Sequence, residues 1–144
     1  MANYQNDIFY TASLLEYLAR KTKNTRKTIA EKIGIDGIRE IFRYADVNHC
    51  LSFEQVSDEL IEQYQIDTGD FAPEEEISSP PDFLAIGQNY ANIVVDSEED
   101  PNKYPETLYE VFCSKVAEWM TLYDNAFFYS PRDYLALEFN ALKQ

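Results

Sequence analysis

Apolar residues recur three or four positions apart along most of this chain, which is the spacing of one buried stripe per helix and not the alternation of strands. Ile8, Ala12, Leu15 and Leu18 form such a stripe over about Asn6 to Lys23, and Arg20, Lys21 and Lys23 suit the negative end of that helix's macrodipole. Asn24-Thr25 supplies the next N-cap, for a short helix from Arg26 to Ile33 that Gly34 ends as the residue just past the last turn. A third helix is expected from about Asp36 to His49. The fourth is the best marked: Ser52 is the N-cap, Gln55 completes a capping box, Leu51 can staple onto Val56, and the pattern extends to about Tyr64.

The periodicity then lapses. Residues 66–81 collect turn formers and a run of glutamates, Glu74, Glu75 and Glu76, as a linker does. Phe83, Ile86, Tyr90 and Val94 mark a fifth helix from about Asp82 to Val95, and Asp96 to Pro105 is an acidic loop. From Glu106 to about Asp124 the residues Leu108, Val111, Phe112, Val116, Trp119 and Tyr123 predict one long amphipathic helix. Phe127, Phe128 and Tyr129 form an aromatic turn that packs on the core or anchors a partner. A last helix takes Ser130 as N-cap, Pro131 at N1 and Asp133 at N3, with Leu135, Phe139 and Leu142 as its stripe. The fold expected is all-α: about six amphipathic helices in a compact bundle or two lobes, 1–65 and 82–144, joined by the acidic linker 66–81.

Charge adds what periodicity omits. From Tyr44 to Asn102 there is no lysine or arginine in 59 residues, against 15 aspartates and glutamates, whereas residues 1–43 hold eight of the twelve bases. A basic end on an acidic body of net charge −14 points to surfaces that select oppositely charged partners. Hydrophobic residues at 45% and aromatics at 15% exclude the composition of a disordered chain. No apolar run reaches the 18 or so residues that span a bilayer, and the first residues lack the features of a signal peptide, so a cytoplasmic protein is expected. Cys50 and Cys113 are too few for a disulfide framework and are expected to be reduced.

The acidic residues with the most specific geometry are Glu54, Asp58 and Glu62. They repeat every four positions, roughly opposite Phe53, Val56, Leu60 and Tyr64, and so form a stripe that faces water or a basic protein partner. Arg20, Lys21, Lys23, Arg26 and Lys27 crowd into eight positions and offer a second contact site or an internal counterweight. Together with Ile29 to Ile35, whose Ala30 and Gly34 permit a tight helix crossing, they also allow a helix-turn-helix-like DNA-binding regulator over residues 20–43. The would-be recognition helix is poor in base-reading donors, with only Arg39, Glu40 and Arg43 exposed by the pattern.

Catalytic and metal-binding patterns are thin. Asp67-Thr68-Gly69 matches the aspartic protease tripeptide but lies in an acidic loop after a helix. Asp46, His49 and Cys50 share a helical face yet lack a fourth ligand or an orienting partner. Asp96, Glu98 and Asp100 mimic a calcium loop, but Pro101 stands where the turn glycine belongs and Thr107 where the bidentate glutamate should be. No cofactor, metal or enzymatic activity is expected.

The run from Phe9 to Asn24 (FYTASLLEYLARKTKN), with Tyr44-Ala45-Asp46-Val47-Asn48-His49, resembles a group of small acidic two-module proteins of Gram-positive bacteria, and residues 86–129 resemble their second module. Such proteins accompany ADP-ribosyltransferase-like toxins, so the resemblance implies an antitoxin or accessory role and carries over no catalytic residue.

Overall fold

Asn3 opens the first helix by accepting a hydrogen bond from the Asn6 backbone N–H at 3.1 Å, two residues earlier than the apolar stripe alone suggests. The computed structural model describes residues 3–123 and 127–143, and among them every regular element is helical. In chain order the α-helices are α1 (Tyr4–Thr22), α2 (Arg26–Arg43), α3 (Ala45–Asn48), α4 (Phe53–Tyr64), α5 (Phe83–Ser97), α6 (Tyr104–Phe112), α7 (Lys115–Met120) and α8 (Arg132–Leu142). Single 3₁₀ turns sit at Pro73–Glu76 and Pro101–Lys103.

Several boundaries follow from local chemistry. Lys23 ends α1 in the left-handed conformation at φ 57°. Gly34, at φ 75° and ψ 167°, is non-helical and ends the first half of α2 at Ile33, as its place in the sequence predicts, so α2 is two helices that meet across a kink. The expected helix to His49 stops at Tyr44, whose φ of −102° and ψ of 15° redirect the chain; Ala45 then enters the core and Asp46 to Asn48 make one further turn. Ser52 caps α4 through its Oγ, which accepts from the Gln55 N–H at 3.0 Å.

The long helix expected over residues 106–124 is broken. Ser114 is extended (φ −94°, ψ 171°), donates through Oγ to the Val111 carbonyl at 2.7 Å, and accepts from the Val116 N–H at 3.2 Å. A serine that can bond the preceding and following backbone offers the chain a cap in place of a continued helix. The apolar period nevertheless survives the break, because Val111, Phe112, Val116 and Met120 are all buried. At the C-terminal end α8 begins at Arg132, so Pro131 takes the N-cap position expected of Ser130.

Residues from both sides of the 66–81 segment enter one core. Ile8, Leu14 and Leu18 of α1, Ile29 and Ile38 of α2, Ile86 and Tyr90 of α5, Phe112 of α6 and Phe139 of α8 are all at most 1% exposed. Each such aliphatic or aromatic side chain contributes roughly 1.5–3 kcal/mol by leaving water. The most extensive packing is α1 on α5, with α2 against α1 and α6. At the α1–α5 crossing a Cβ on Gly87 would stand 2.1 Å from Ser13 Oγ and 2.8 Å from Ser13 Cα, so only glycine allows this approach.

Candidate functional site

Three of the five bases in the segment from Arg20 to Lys27 converge on acidic side chains of α1 and α4. Glu16 is fully buried, and its Oε1 accepts from Arg26 Nε at 2.9 Å. Its Oε2 accepts from Arg26 Nη2 at 2.6 Å, Arg20 Nε at 2.8 Å and the Tyr123 hydroxyl at 3.0 Å. Arg26 also donates to the Tyr123 hydroxyl at 2.9 Å, and Arg20 reaches the Pro81 carbonyl at 2.8 Å while its guanidinium lies 5.2 Å from the Tyr123 ring centre. Residues from α1, α2, the 66–81 segment's end and the chain after α7 are thereby tied at one point.

The electrostatics follow from that enclosure. Burial pushes the Glu16 carboxyl up, but the charges and hydrogen bonds of Arg26 and Arg20 outweigh it and hold the group below its ordinary value. Arg26, 2% exposed, loses to burial but gains more from Glu16, so its guanidinium stays charged. Tyr123 and Tyr90 are raised, first by burial and then by the Glu16 charge, and among the described residues the Tyr90 hydroxyl has no hydrogen-bond partner. Glu16 escapes a reading based on acidic stripes because it is one carboxylate among apolar neighbours. The available signal was its place eight residues after Ile8 and four before Arg20 on the buried side of α1.

Lys21 crosses to α4, where its Nζ lies 2.5 Å from Asp58 Oδ1 and 3.3 Å from Ser57 Oγ. The Asp58 hydrogen bond raises the Lys21 ammonium above its ordinary value, and the Glu54 charge adds to it. Lys23 stands 3.6 Å from Glu75 in the 66–81 segment. Lys27 has no ion-pair partner among the described residues. The basic segment therefore serves mostly as an internal counterweight, and Arg26 in particular is not a surface contact.

The acidic stripe lies on the outer face of α4. Glu54, Asp58 and Glu62 are exposed, as is Glu59, while Val56, Ser57 and Leu60 turn inward. The stripe is not wholly free, since Asp58 is held by Lys21; Glu54, Glu59 and Glu62 have no ion-pair partner among the described residues. Glu59 also lines a cleft of about 180 Å³ between α2 and α4, opposite Glu40 and beside Tyr44 and Tyr64, with no lysine or arginine in its walls.

The other sequence candidates are accounted for by internal bonds or lie apart. Asp67, Thr68 and Gly69 strap the 66–81 segment to the end of α1: the Gly69 N–H donates to the Thr22 carbonyl at 2.8 Å and Asn24 Nδ2 to the Asp67 carbonyl at 2.9 Å. Asp96 forms a bidentate pair with Arg132 at 2.8 Å on both arms, Glu98 accepts from Thr107 Oγ1 at 3.3 Å, and Asp100 caps the 3₁₀ turn through Asn102 at 3.0 Å. Asp46 and His49 line a cavity that Cys50 does not. Among the described residues no cluster of three or more histidine, cysteine or acidic side chains is placed to hold a metal.

Of the bases that would read DNA, Arg26 is buried and Arg39 is bonded to Asp36 at 2.8 Å and to Glu106. Phe127 stacks edge-on against Trp119, whereas Tyr129 is 72% exposed. Among the described residues no helix is long and apolar enough to cross a membrane. The chain matches no protein-family model, and no curated protein or solved structure matches it.

Proposed function

We propose that this protein is a non-enzymatic binding module that docks the outer face of α4 on a basic protein and inhibits or neutralises it, as an antitoxin or a nucleic-acid mimic would. The observation that carries this reading is the imbalance of that face: four exposed carboxylates on a twelve-residue helix are met by one ammonium, Lys21. Like charges spaced four apart weaken a helix by about 0.2–0.5 kcal/mol per pair. Some acids elsewhere are paired, Asp96 by Arg132 and Glu110 by Lys143. The uncompensated face and the base-free cleft beside it suit lysine and arginine side chains arriving from outside, where complementary charge speeds encounter and sets register.

The test is capture at low salt from the organism that carries the gene, using the wild type, a Glu54→Lys/Glu62→Lys variant, and a Glu99→Lys/Asp133→Lys variant with the same change in net charge. Basic partners retained by the wild type and the second variant but lost by the first support the α4 face. Equal loss from both variants would reduce the interaction to net charge, and equal retention would remove α4 from it.

A further inference from the structure

A second surface, away from the acidic face of α4, has the form of a small-molecule site. A cavity of about 490 Å³ opens between the first turns of α1, the α3 turn and the starts of α4 and α5. That volume falls within the range of ligand pockets. Its apolar wall is made by Phe9 and Tyr10 from α1, Leu51 just before α4, Phe53 at its start and Leu84 from α5. The Tyr10 and Phe53 rings stack with centres 5.5 Å apart, so an occupant meets aromatic as well as aliphatic surface.

Beside the neutral Asn3, Asn6 and Ser13, the charged groups of the cavity are of one sign. Asp7 of α1 and Asp46 of α3 line it together with His49, and no lysine or arginine does. Burial raises the Asp7 carboxyl, the Asp46 charge raises it further, and His49 opposes them. Two carboxylates that repel each other beside apolar walls are relieved by a positive charge brought in with an apolar body. The chain's own competitor is Arg43, which lines an adjoining hollow with Asp7 and Asp46; Arg39, in the same hollow, is already bonded to Asp36 and Glu106.

We infer that this cavity binds a small organic ammonium ion, with its hydrocarbon part among Phe9, Phe53 and Leu84 and its charge on Asp7 and Asp46. The site takes a primary amine on an aromatic or short aliphatic body, and it discriminates against the corresponding acid. This inference is independent of the docking role of α4, because the exposed carboxylates Glu54, Asp58, Glu59 and Glu62 are not part of the cavity lining.

Phenethylamine, its neutral counterpart phenylethanol and its anionic counterpart phenylacetate are titrated into the full chain while backbone amide chemical shifts are followed. The amine is expected to bind saturably, with shifts confined to residues 6–13, 45–53 and the start of α5; the alcohol binds about tenfold more weakly, and the acid does not bind. Asp46→Asn weakens the amine about tenfold, and Leu84→Trp, which fills the cavity from an exposed position, blocks it with the unfolding midpoint unchanged. Equal affinity for amine and acid, an unaltered affinity in Asp46→Asn, shifts centred on α4's outer face, or no saturable binding of the amine would each overturn the assignment.

Discussion

Glu16 and Glu62 are both carboxylates on amphipathic helices, and they occupy opposite electrostatic conditions. Glu16 is sealed in the core with two guanidinium groups and a tyrosine hydroxyl on its two oxygens. Glu62 stands in water near the C-terminus of α4, where the macrodipole is negative, and no cation among the described residues pairs with it. The difference teaches that acidity has two roles in this chain. Inside, a single charge is matched and joins distant segments; outside, unmatched charge weakens its own helix and remains available to a partner.

The largest expected effect comes from breaking the buried side of that comparison. Glu16→Gln leaves Arg26 buried beside a neutral amide, and removing one partner of a buried pair costs about 3–5 kcal/mol, whereas Glu62→Gln is expected not to destabilise. Denaturant unfolding of the two variants measures the contrast. A Glu16→Met/Arg26→Met double variant is expected to recover most of the loss, because the fully buried guanidinium goes with its carboxylate and the charge left behind, Arg20, is partly exposed and keeps the Pro81 carbonyl. A Glu16→Gln midpoint equal to that of the wild type would show that the network is not a structural tie.

The pH dependence sharpens the same contrast. Glu16 is held below its ordinary value of 4.5, so its contribution is fully present above that pH and is lost as the pH falls through its lowered folded value. The stability gap between wild type and Glu16→Gln should therefore be constant near neutrality and shrink in acid. Tyr90 and Tyr123 are raised above 10.0 and carry the opposite sign: their contribution is present below pH 10.0 and lost above it. The part of the tyrosinate absorbance that belongs to Tyr90 and Tyr123, read as the difference between the wild type and a Tyr90→Phe/Tyr123→Phe variant, should rise together with the loss of helical signal and not before it.

On the exposed side the effect is small and reversed. Glu62→Gln removes a like-charge neighbour of Asp58 and a negative charge near the negative end of α4, for an expected gain of about 0.2–0.5 kcal/mol. A shift of the unfolding midpoint upward by that amount, screened out at high salt, is the signature. A loss would mean that Glu62 has a stabilising partner.

The two regions were not equally legible in the sequence. The stripe on α4 follows from a four-residue repeat, and Ser52 with Gln55 announces where the helix begins. The stripes of α1 and α5 were also legible from spacing alone, and that of α8 in part: Leu135 and Phe139 are buried, whereas Leu142, in the last turn, is 40% exposed. The breaks at Tyr44 and Ser114 were not, because a helix that restarts after a redirecting residue can keep its apolar period while changing its axis; only the serine at position 114 hinted at a cap. The pairings of the basic segment were hidden for a different reason. Arg26 meets Glu16 across 10 residues, Lys21 meets Asp58 across 37, and Tyr123 meets Glu16 across 107, separations that no local pattern encodes. Charge counting therefore found the segregation of bases from acids but could not divide it between the core and the surface.

The most direct test of the docking role is the affinity of a captured basic partner for the wild type and for Glu54→Lys/Glu62→Lys, measured across a series of salt concentrations. The wild-type affinity is expected to fall steeply with salt, and the variant, with an unfolding midpoint no lower than the wild type's, should bind at least tenfold more weakly at low salt, about 1.4 kcal/mol or more. An affinity and salt dependence unchanged in the variant would contradict the account.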